Sequence, residues 1–354
     1  MTTLYLTEAR AVVRKDGDTL VVQIPADAQR QTEKRTVRVP LAKVDQVVVY
    51  GDSTLTTPAM LALLEQHAEI CFCTSHGQFR GRLTPEVSKN ALLRIRQHVV
   101  HHEYRRRVEL ARAFVAGKLS NQRTLLLRSN RKLERPEIAA AAAAIQGIAT
   151  QVRELTVQEG EVFDPAAPQT ASTWGVLQGL EGAGASAYFQ VFGLLLRGDL
   201  QFQGRNRRPP RDPVNALLSY GYVLLMNQVM SAIGIVGLDP YVGYLHASQY
   251  GKPALALDLM EEFRPIIVDS VVLTLINNRM IEAQDFEEEM GTYRLKERGR
   301  RTFLTRFEER LNEEIRHPVF DYRASYRRCL ELQARLLAKV LLGEIPAYPP
   351  FIVR

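Results

Sequence analysis

Leu83-Thr-Pro-Glu86 is where this chain changes character, and that change decides the fold class. Upstream of it lie short runs rich in Val, Ile, Thr and Tyr: Leu4 to Leu6, Ala11 to Arg14, Leu20 to Ile24, Thr36 to Val39, Gln46 to Tyr50 and Ile70 to Cys73. Residues of that kind in runs of that length read as strands. Lys15-Asp-Gly-Asp18 carries the Asp-Gly signal for a tight hairpin between the second and third runs. One helix interrupts the series, with Thr57 as its expected cap, Pro58 in its first turn and Met60, Leu61, Leu63 and Leu64 as its apolar face. Downstream of Glu86, nearly everything to Leu342 reads as helix with Gly or Pro breaks, among them Thr173 to Leu196, Pro213 to Ile233, Pro253 to Phe263 and Pro265 to Met280. The reading is α+β: a small β-rich N-terminal domain over residues 1–86, followed by a larger all-α domain over residues 87–354. The segment Ile345-Pro-Ala-Tyr-Pro-Pro-Phe-Ile-Val-Arg354 cannot extend the last helix and is expected to lie over the surface.

The whole chain sets few limits on function. Its 354 residues suffice for two domains with cores of their own. Three cysteines, Cys71, Cys73 and Cys329, form no CxxC pair, so neither a disulfide framework nor a zinc finger is supported and a reducing cytoplasm is expected. No basic region followed by a long apolar core opens the sequence, so no secretory signal is read there. Pro213 to Leu238 has no formal charge and is long enough to span a membrane, but Asn215, Ser219, Asn227, Gln228 and Ser231 argue for a helix buried inside a protein, and no membrane association is expected.

Four side chains stand out because their surroundings are apolar: Glu181, His246, Asp258 and Glu261. A buried carboxylate without a partner costs several kcal/mol or takes up a proton, so a cation, a basic side chain or a divalent metal is expected beside them. Asp258 and Glu261 are three apart on one helix and share a face; Asp258 and Glu262, four apart, do so too, and spacing does not decide between them. His246 lies in Gly243-Tyr-Leu-His-Ala-Ser-Gln-Tyr-Gly251, which can fold back toward the same point, and Glu181 must come from a separate helix. One imidazole with two or three carboxylates suits Mg²⁺ or Mn²⁺ and leaves positions open for phosphate oxygens. The simpler account of the same residues is a hydrogen-bonded core histidine and solvent-facing acids.

Basic charge is concentrated. From Lys89 to Arg135 there are thirteen Lys and Arg against three acids, which leaves the rest of a chain of net charge +7 slightly acidic. Such a stretch reads as a phosphate-binding footprint, to which His98, His101 and His102 add charge below neutral pH. A second cluster, Arg197, Arg205, Arg207, Arg208 and Arg211, sits between the two halves of the carboxylate and histidine set. The candidate nucleic-acid contacts are Lys118, Arg123, Arg205, Arg207, Arg208, Arg211 and Lys252, with Tyr188 as a stacking ring or a core residue.

Leu180-Glu-Gly-Ala-Gly-Ala-Ser-Ala-Tyr-Phe189, Gly243-Tyr-Leu-His246 and Leu257-Asp-Leu-Met-Glu-Glu-Phe-Arg-Pro265, in this order and separation, resemble the CRISPR-associated spacer-acquisition integrases, the core adaptation nucleases of these immune systems. Gly117-Lys-Leu-Ser-Asn-Gln-Arg123 and Arg207-Arg-Pro-Pro-Arg-Asp-Pro-Val-Asn-Ala216 extend the resemblance over most of the chain. It implies metal ligands at Glu181, His246 and Glu261, with Asp258 as their acidic partner in the catalytic set. It implies joining of the 3′-hydroxyl ends of short DNA fragments into a CRISPR array by direct transesterification with Mg²⁺ or Mn²⁺. It also implies a homodimer formed through the N-terminal domain, a complex with the small second adaptation protein, and double-stranded DNA with 3′ single-stranded ends or branched DNA as substrate. Two other readings of the residues stand beside it: a non-catalytic basic DNA-binding scaffold with a structural acidic cluster, and a metallohydrolase of small phosphoesters.

Overall fold

The structure, a computed structural model, describes residues 3–26, 33–75, 77–86, 88–162, 172–206, 209–246 and 249–353. The chain divides into two compact units, Met1–Val87 and Ser88–Arg354.

The first unit holds two four-stranded sheets and one helix. β1 (Thr3–Leu6), β5 (Gln46–Tyr50) and β7 (Glu69–Cys73) run parallel in the order β1-β5-β7, and β8 (Phe79–Leu83) closes the sheet antiparallel to β7. The second sheet has the order β4-β3-β2-β6, from β2 (Val12–Asp16), β3 (Thr19–Ile24), β4 (Arg35–Pro40) and β6 (Thr54–Leu55). Asp16 pairs with Thr19, so the turn at Gly17 and Asp18 joins β2 to β3 as the Asp-Gly signal requires. α1 (Thr57–Glu65) starts one residue earlier than expected: Thr56 is the cap, without a side-chain capping bond, and Pro58 lies in the first turn. Val13, Leu20, Val22, Val47, Val49, Leu63 and Ile70 meet in a single apolar core.

The second unit is built on α2 (Ala91–His102), α3 (Tyr104–Asn130), α4 (Pro136–Glu154), α5 (Thr173–Phe192), α6 (Pro213–Val236), α7 (Ala254–Met260), α8 (Ser270–Asn277), α9 (Glu297–Asn312) and α10 (Tyr326–Leu341). It also holds two antiparallel pairs, β9 (Phe286–Glu289) with β10 (Thr292–Leu295) and β11 (Glu314–Arg316) with β12 (Arg323–Ser325). An all-helical expectation for residues 87–354 passes over these pairs. Their strands are three or four residues long and sit in charge-rich sequence, where alternation is too brief to register. α6 is the long uncharged helix, capped by Asp212 Oδ1, which accepts from the Asn215 N–H at 2.7 Å. Most of its length is buried within the protein, as its polar content implies. Pro265 lacks an N–H for the helical ladder, and the chain between α7 and α8 widens into a π-helical stretch, Arg264–Asp269.

The Pro-rich segment after α10 does not lie over the surface as its composition suggests. Tyr348 and Phe351 are buried, and the Phe351 ring stacks on Phe263 at 4.7 Å between centroids. Apolar rings separated by prolines anchor an extended segment as readily as they anchor a helix.

Candidate functional site

Two long helices bring the first elements together. α3 and α5 approach closely because Gly184 has no side chain: a Cβ there would run into the Leu119 side chain. Lys118 precedes Leu119 on α3, and Glu181 lies one turn before Gly184 on α5, so the close approach sets the Lys118 ammonium against the Glu181 carboxylate in a short ion pair. Glu261, at the C-terminal end of α7, reaches the same ammonium from the other side, with Nζ to Oε2 at 2.7 Å. Lys118 Nζ therefore sits between two carboxylates supplied by different helices.

His246 completes the group. It lies in the loop between α6 and α7, where Asp258 accepts the backbone N–H groups of Tyr244 at 2.5 Å, Leu245 at 3.0 Å and His246 at 2.9 Å. With its oxygens already serving as acceptors, Asp258 Oδ1 also accepts from His246 Nδ1 at 2.7 Å. A carboxylate only accepts, so Nδ1 carries a proton, and Nε2 faces Glu261 Oε1 at 3.8 Å. Arg264 Nη2 lies 3.2 Å from the same Glu261 oxygen, with its guanidinium stacked over the Tyr222 ring.

Burial would raise the Glu261 carboxyl, but Arg264, Lys118 and His246 around it outweigh that and hold it down at about 2. Lys118 shows the complementary balance: burial disfavours its charge, yet Glu261 and Glu181 raise its pKa. Glu262 has turned the opposite way, which spacing alone left open. It faces α10 and the segment after it, where burial pushes its carboxyl up to about 8 against hydrogen bonds from Phe351, Tyr348 and Gln333.

The His246 loop is held by residues that the sequence reading assigned to the basic footprint or did not single out. Gln97 Nε2 donates to the carbonyls of Asp239 at 2.8 Å and Val242 at 3.0 Å. His101 Nδ1 donates to the Gly243 carbonyl at 2.6 Å, and Arg107 Nε to the Tyr244 carbonyl at 3.1 Å. All three are buried. Burial, helped by the Arg107 charge, pushes His101 down to about 4, so it adds no charge to a phosphate-binding surface near neutral pH. A buried polar run on two helices would have pointed to them, had the helix faces been known.

The expected nucleic-acid contacts divide. Lys118 is buried between Glu181 and Glu261 and is not a surface contact. Arg205 spends its guanidinium inside the protein, on Asn215 Oδ1 at 2.6 Å, on Ser219 Oγ at 3.2 Å and over the Tyr222 ring. Tyr188 is wholly buried and donates its hydroxyl to Asp269 at 2.8 Å, so it is a core residue and not a stacking platform. Arg211 is exposed, and Arg123 and Lys252 are half-buried. Arg207 and Arg208 lie outside the described residues. Of the basic stretch, Lys89, Arg96, Arg105, Arg128, Arg131, Lys132 and Arg135 are exposed.

Among the described residues, no three His, Cys, Asp or Glu side chains are drawn together tightly enough to hold an ion by themselves, because the Lys118 ammonium stands between the carboxylates. The donor types nevertheless suit a divalent cation: two carboxylates and one imidazole nitrogen, with the Lys118 ammonium 2.7 Å from Glu261 Oε2. Asp258 is not among them. Its oxygens are occupied by the loop and the ring, which makes it a positioning residue for His246.

The family model of CRISPR associated protein Cas1 matches residues 4–309. A CRISPR-associated exonuclease Cas4/endonuclease Cas1 fusion of Geobacter sulfurreducens is 39% identical over 99% of this chain, which spans 60% of that fusion's length. A CRISPR-associated endonuclease Cas1 of Thermus thermophilus is 38% identical over 99% of this chain and 97% of its own. A casposase solved bound to integration product shares the fold, with a TM-score of 0.83 at 23% identity over 100% of this chain and 95% of that one. A match over most of the sequence, together with relatives of this identity and coverage, places the chain in the Cas1 family of CRISPR-associated proteins.

Proposed function

We propose that this protein is a metal-dependent DNA endonuclease and integrase of CRISPR adaptation, joining the 3′-hydroxyl ends of short DNA fragments into the CRISPR array by transesterification. The observation that carries the reading is that Glu181 and Glu261 share the Lys118 ammonium while the Nε2 of His246 faces the other oxygen of Glu261 at 3.8 Å. Glu181, His246 and Glu261 would hold Mg²⁺ or Mn²⁺. When bound, such an ion supplies positive charge to the phosphoryl oxygens and to the attacking or leaving oxygen as an in-line displacement proceeds. The chain's own residues do the rest. Asp258 engages Nδ1 of His246, so Nε2 is the nitrogen that the ring would offer to the ion. Arg264, beside Glu261, adds fixed positive charge at the edge of the group. Arg211 and the exposed part of the basic stretch bind substrate phosphates, a contact that positions DNA without reading its sequence.

The substrate class follows from the same reading: double-stranded DNA with 3′ single-stranded ends, and branched DNA. Family membership supports a homodimer through the β-rich N-terminal unit and a complex with the small second adaptation protein. The test is strand transfer of a labelled 3′-hydroxyl fragment into a repeat-bearing duplex with Mn²⁺ and with EDTA. Glu181→Ala and His246→Ala should each abolish joining while DNA binding stays within about threefold of wild type, and retained joining in both would refute the proposal.

A second reading has a specific observation in its favour. With Lys118 and Arg264 balancing the charges of Glu181 and Glu261, the cluster is electrically satisfied as an ion-pair network, as a non-catalytic DNA-binding scaffold would require. Wild-type protein that binds DNA but joins nothing in Mn²⁺ would select it.

A further inference from the structure

Glu262 and Asn121 form a junction that the proposed chemistry leaves unexplained. Asn121 lies on α3, one turn beyond Lys118, and is fully buried. Its amide donates to the Glu262 carbonyl at 2.8 Å and to the Phe351 carbonyl at 2.7 Å, and its Oδ1 accepts from the Val353 N–H at 3.0 Å. One side chain thus ties together α3, the residue after the Glu261 ligand and the segment beyond α10. The Glu262 carboxyl is engaged in turn: Oε2 accepts from the Phe351 N–H at 2.8 Å and from Gln333 Nε2 at 3.2 Å. Gln333, on α10, also donates to the Tyr348 hydroxyl at 2.7 Å and the Pro349 carbonyl at 3.1 Å.

The packing at this junction leaves no slack. Gly117 adjoins Lys118, and a Cβ at that position would lie 2.9 Å from Glu262 Cγ and 3.1 Å from Pro350 Cβ. The backbone of α3 is therefore pressed directly against Glu262 and Pro350. Glu261 and Lys118 are each the immediate neighbour of a residue clamped in this way, and their side chains meet at 2.7 Å.

We infer that the segment Tyr348–Val353 is a positioning latch: by holding Glu262 and Asn121 in register, it fixes where the Glu261 carboxylate stands relative to Lys118 and Glu181. The inference rests on the proposed metal-dependent reading. Its residues touch neither substrate nor ion; they act through Glu261.

Two full-length variants test it, with Mn²⁺ affinity measured from the free-ion electron paramagnetic resonance signal alongside strand-transfer kinetics and thermal unfolding. Asn121→Ala removes the three hydrogen bonds; Gly117→Ala removes none but wedges a methyl group into the junction at a helix position where alanine is otherwise favourable. The latch requires Mn²⁺ affinity at least tenfold weaker and kcat at least tenfold lower in either variant, with KM for DNA within twofold. A merely structural role would lower the unfolding temperature of Asn121→Ala and leave Mn²⁺ affinity and kcat at wild-type values in both, which would overturn the inference. If Asn121→Ala fails to fold, Gly117→Ala decides alone. Wild-type protein that binds no Mn²⁺ overturns the metal-dependent reading itself, a result separate from wild-type binding that neither variant disturbs.

Discussion

His246 Nδ1 and Asp258 Oδ1 lie 2.7 Å apart, and the same carboxylate also gathers the N–H groups of Tyr244, Leu245 and His246. One buried acid thereby fixes both the path of the loop and the orientation of the ring it carries. Asp258→Asn would set an amide N–H against donors that need an acceptor. If His246 holds the ion as proposed, Mn²⁺ affinity or strand transfer should fall roughly 10- to 100-fold, with about 1–3 kcal/mol of stability lost to unsatisfied donors. Mn²⁺ titration and urea unfolding of the variant measure the two effects, and wild-type values in both would mean that something else aims the imidazole.

Lys118 stands where a cation's charge is required, so replacing it should make the protein depend on an added one. Lys118→Met leaves Glu261 buried beside Glu181 without their shared partner. Removing one member of a buried ion pair costs roughly 3–5 kcal/mol, and the partial exposure of Glu181 puts this case at the lower end. On the proposed metal-dependent reading, Mn²⁺ would bind only the folded state and should restore part of the loss. The rise in unfolding temperature between EDTA and Mn²⁺ should be larger for Lys118→Met than for wild type; an equal rise would sink this prediction.

His101 gives the fold a dependence on acid. Its folded pKa of about 4 lies below the ordinary histidine value, because burial and then Arg107 oppose the charged ring. The unfolded chain therefore takes up this proton first as pH falls, and stability is complete above about pH 6.5 and declines toward pH 4. The contribution should be about 2 kcal/mol smaller at pH 5 than at pH 8. Denaturant unfolding at the two values measures it, and His101→Gln, which keeps an N–H for the Gly243 carbonyl, should remove that part of the slope. A slope unchanged in the variant would assign it to other groups.

Tyr188 separates a core role from a nucleic-acid one. Its hydroxyl and that of Tyr222 both donate to Asp269, whose carboxyl burial raises to about 6 despite those bonds. Tyr188→Phe removes one donor from a buried carboxylate and should cost about 1–3 kcal/mol while leaving DNA affinity unchanged. A fall in DNA affinity without a fall in stability would reinstate the ring as a base-stacking surface.

The sequence made some of this legible and hid the rest for identifiable reasons. Local signals carried well: the Asp-Gly turn between β2 and β3, the inner placement of α6, and the shared face of Asp258 and Glu261 each depend on residues within a few positions of one another. The partner of the carboxylates did not carry, because Lys118 meets Glu181 across 63 positions through a helix contact that Gly184 permits, and nothing local marks that glycine as different from Gly182. Whether Asp258 or Glu262 serves beside Glu261 stayed open, because charge and spacing are the same for a residue that holds an ion and one that holds a ligand. The segment after α10 was misjudged because proline content reports what a segment cannot form, not where it lies. Arg205 and His101 were read as surface charge for a related reason: a tally of basic residues does not record which way each one faces.

Gln97, His101 and Arg107 each donate to main-chain carbonyls of the His246 loop. A carbonyl is the same chemical handle whatever residue bears it. Substitutions at exposed positions such as Tyr241 should therefore leave the imidazole aimed, while a change in one of the three distant grips would misdirect it. Exposed positions of the loop such as Tyr241 are free to drift in composition, while Gly243, where a Cβ would meet Ala254 and Asp258, must be inherited intact along with the holder.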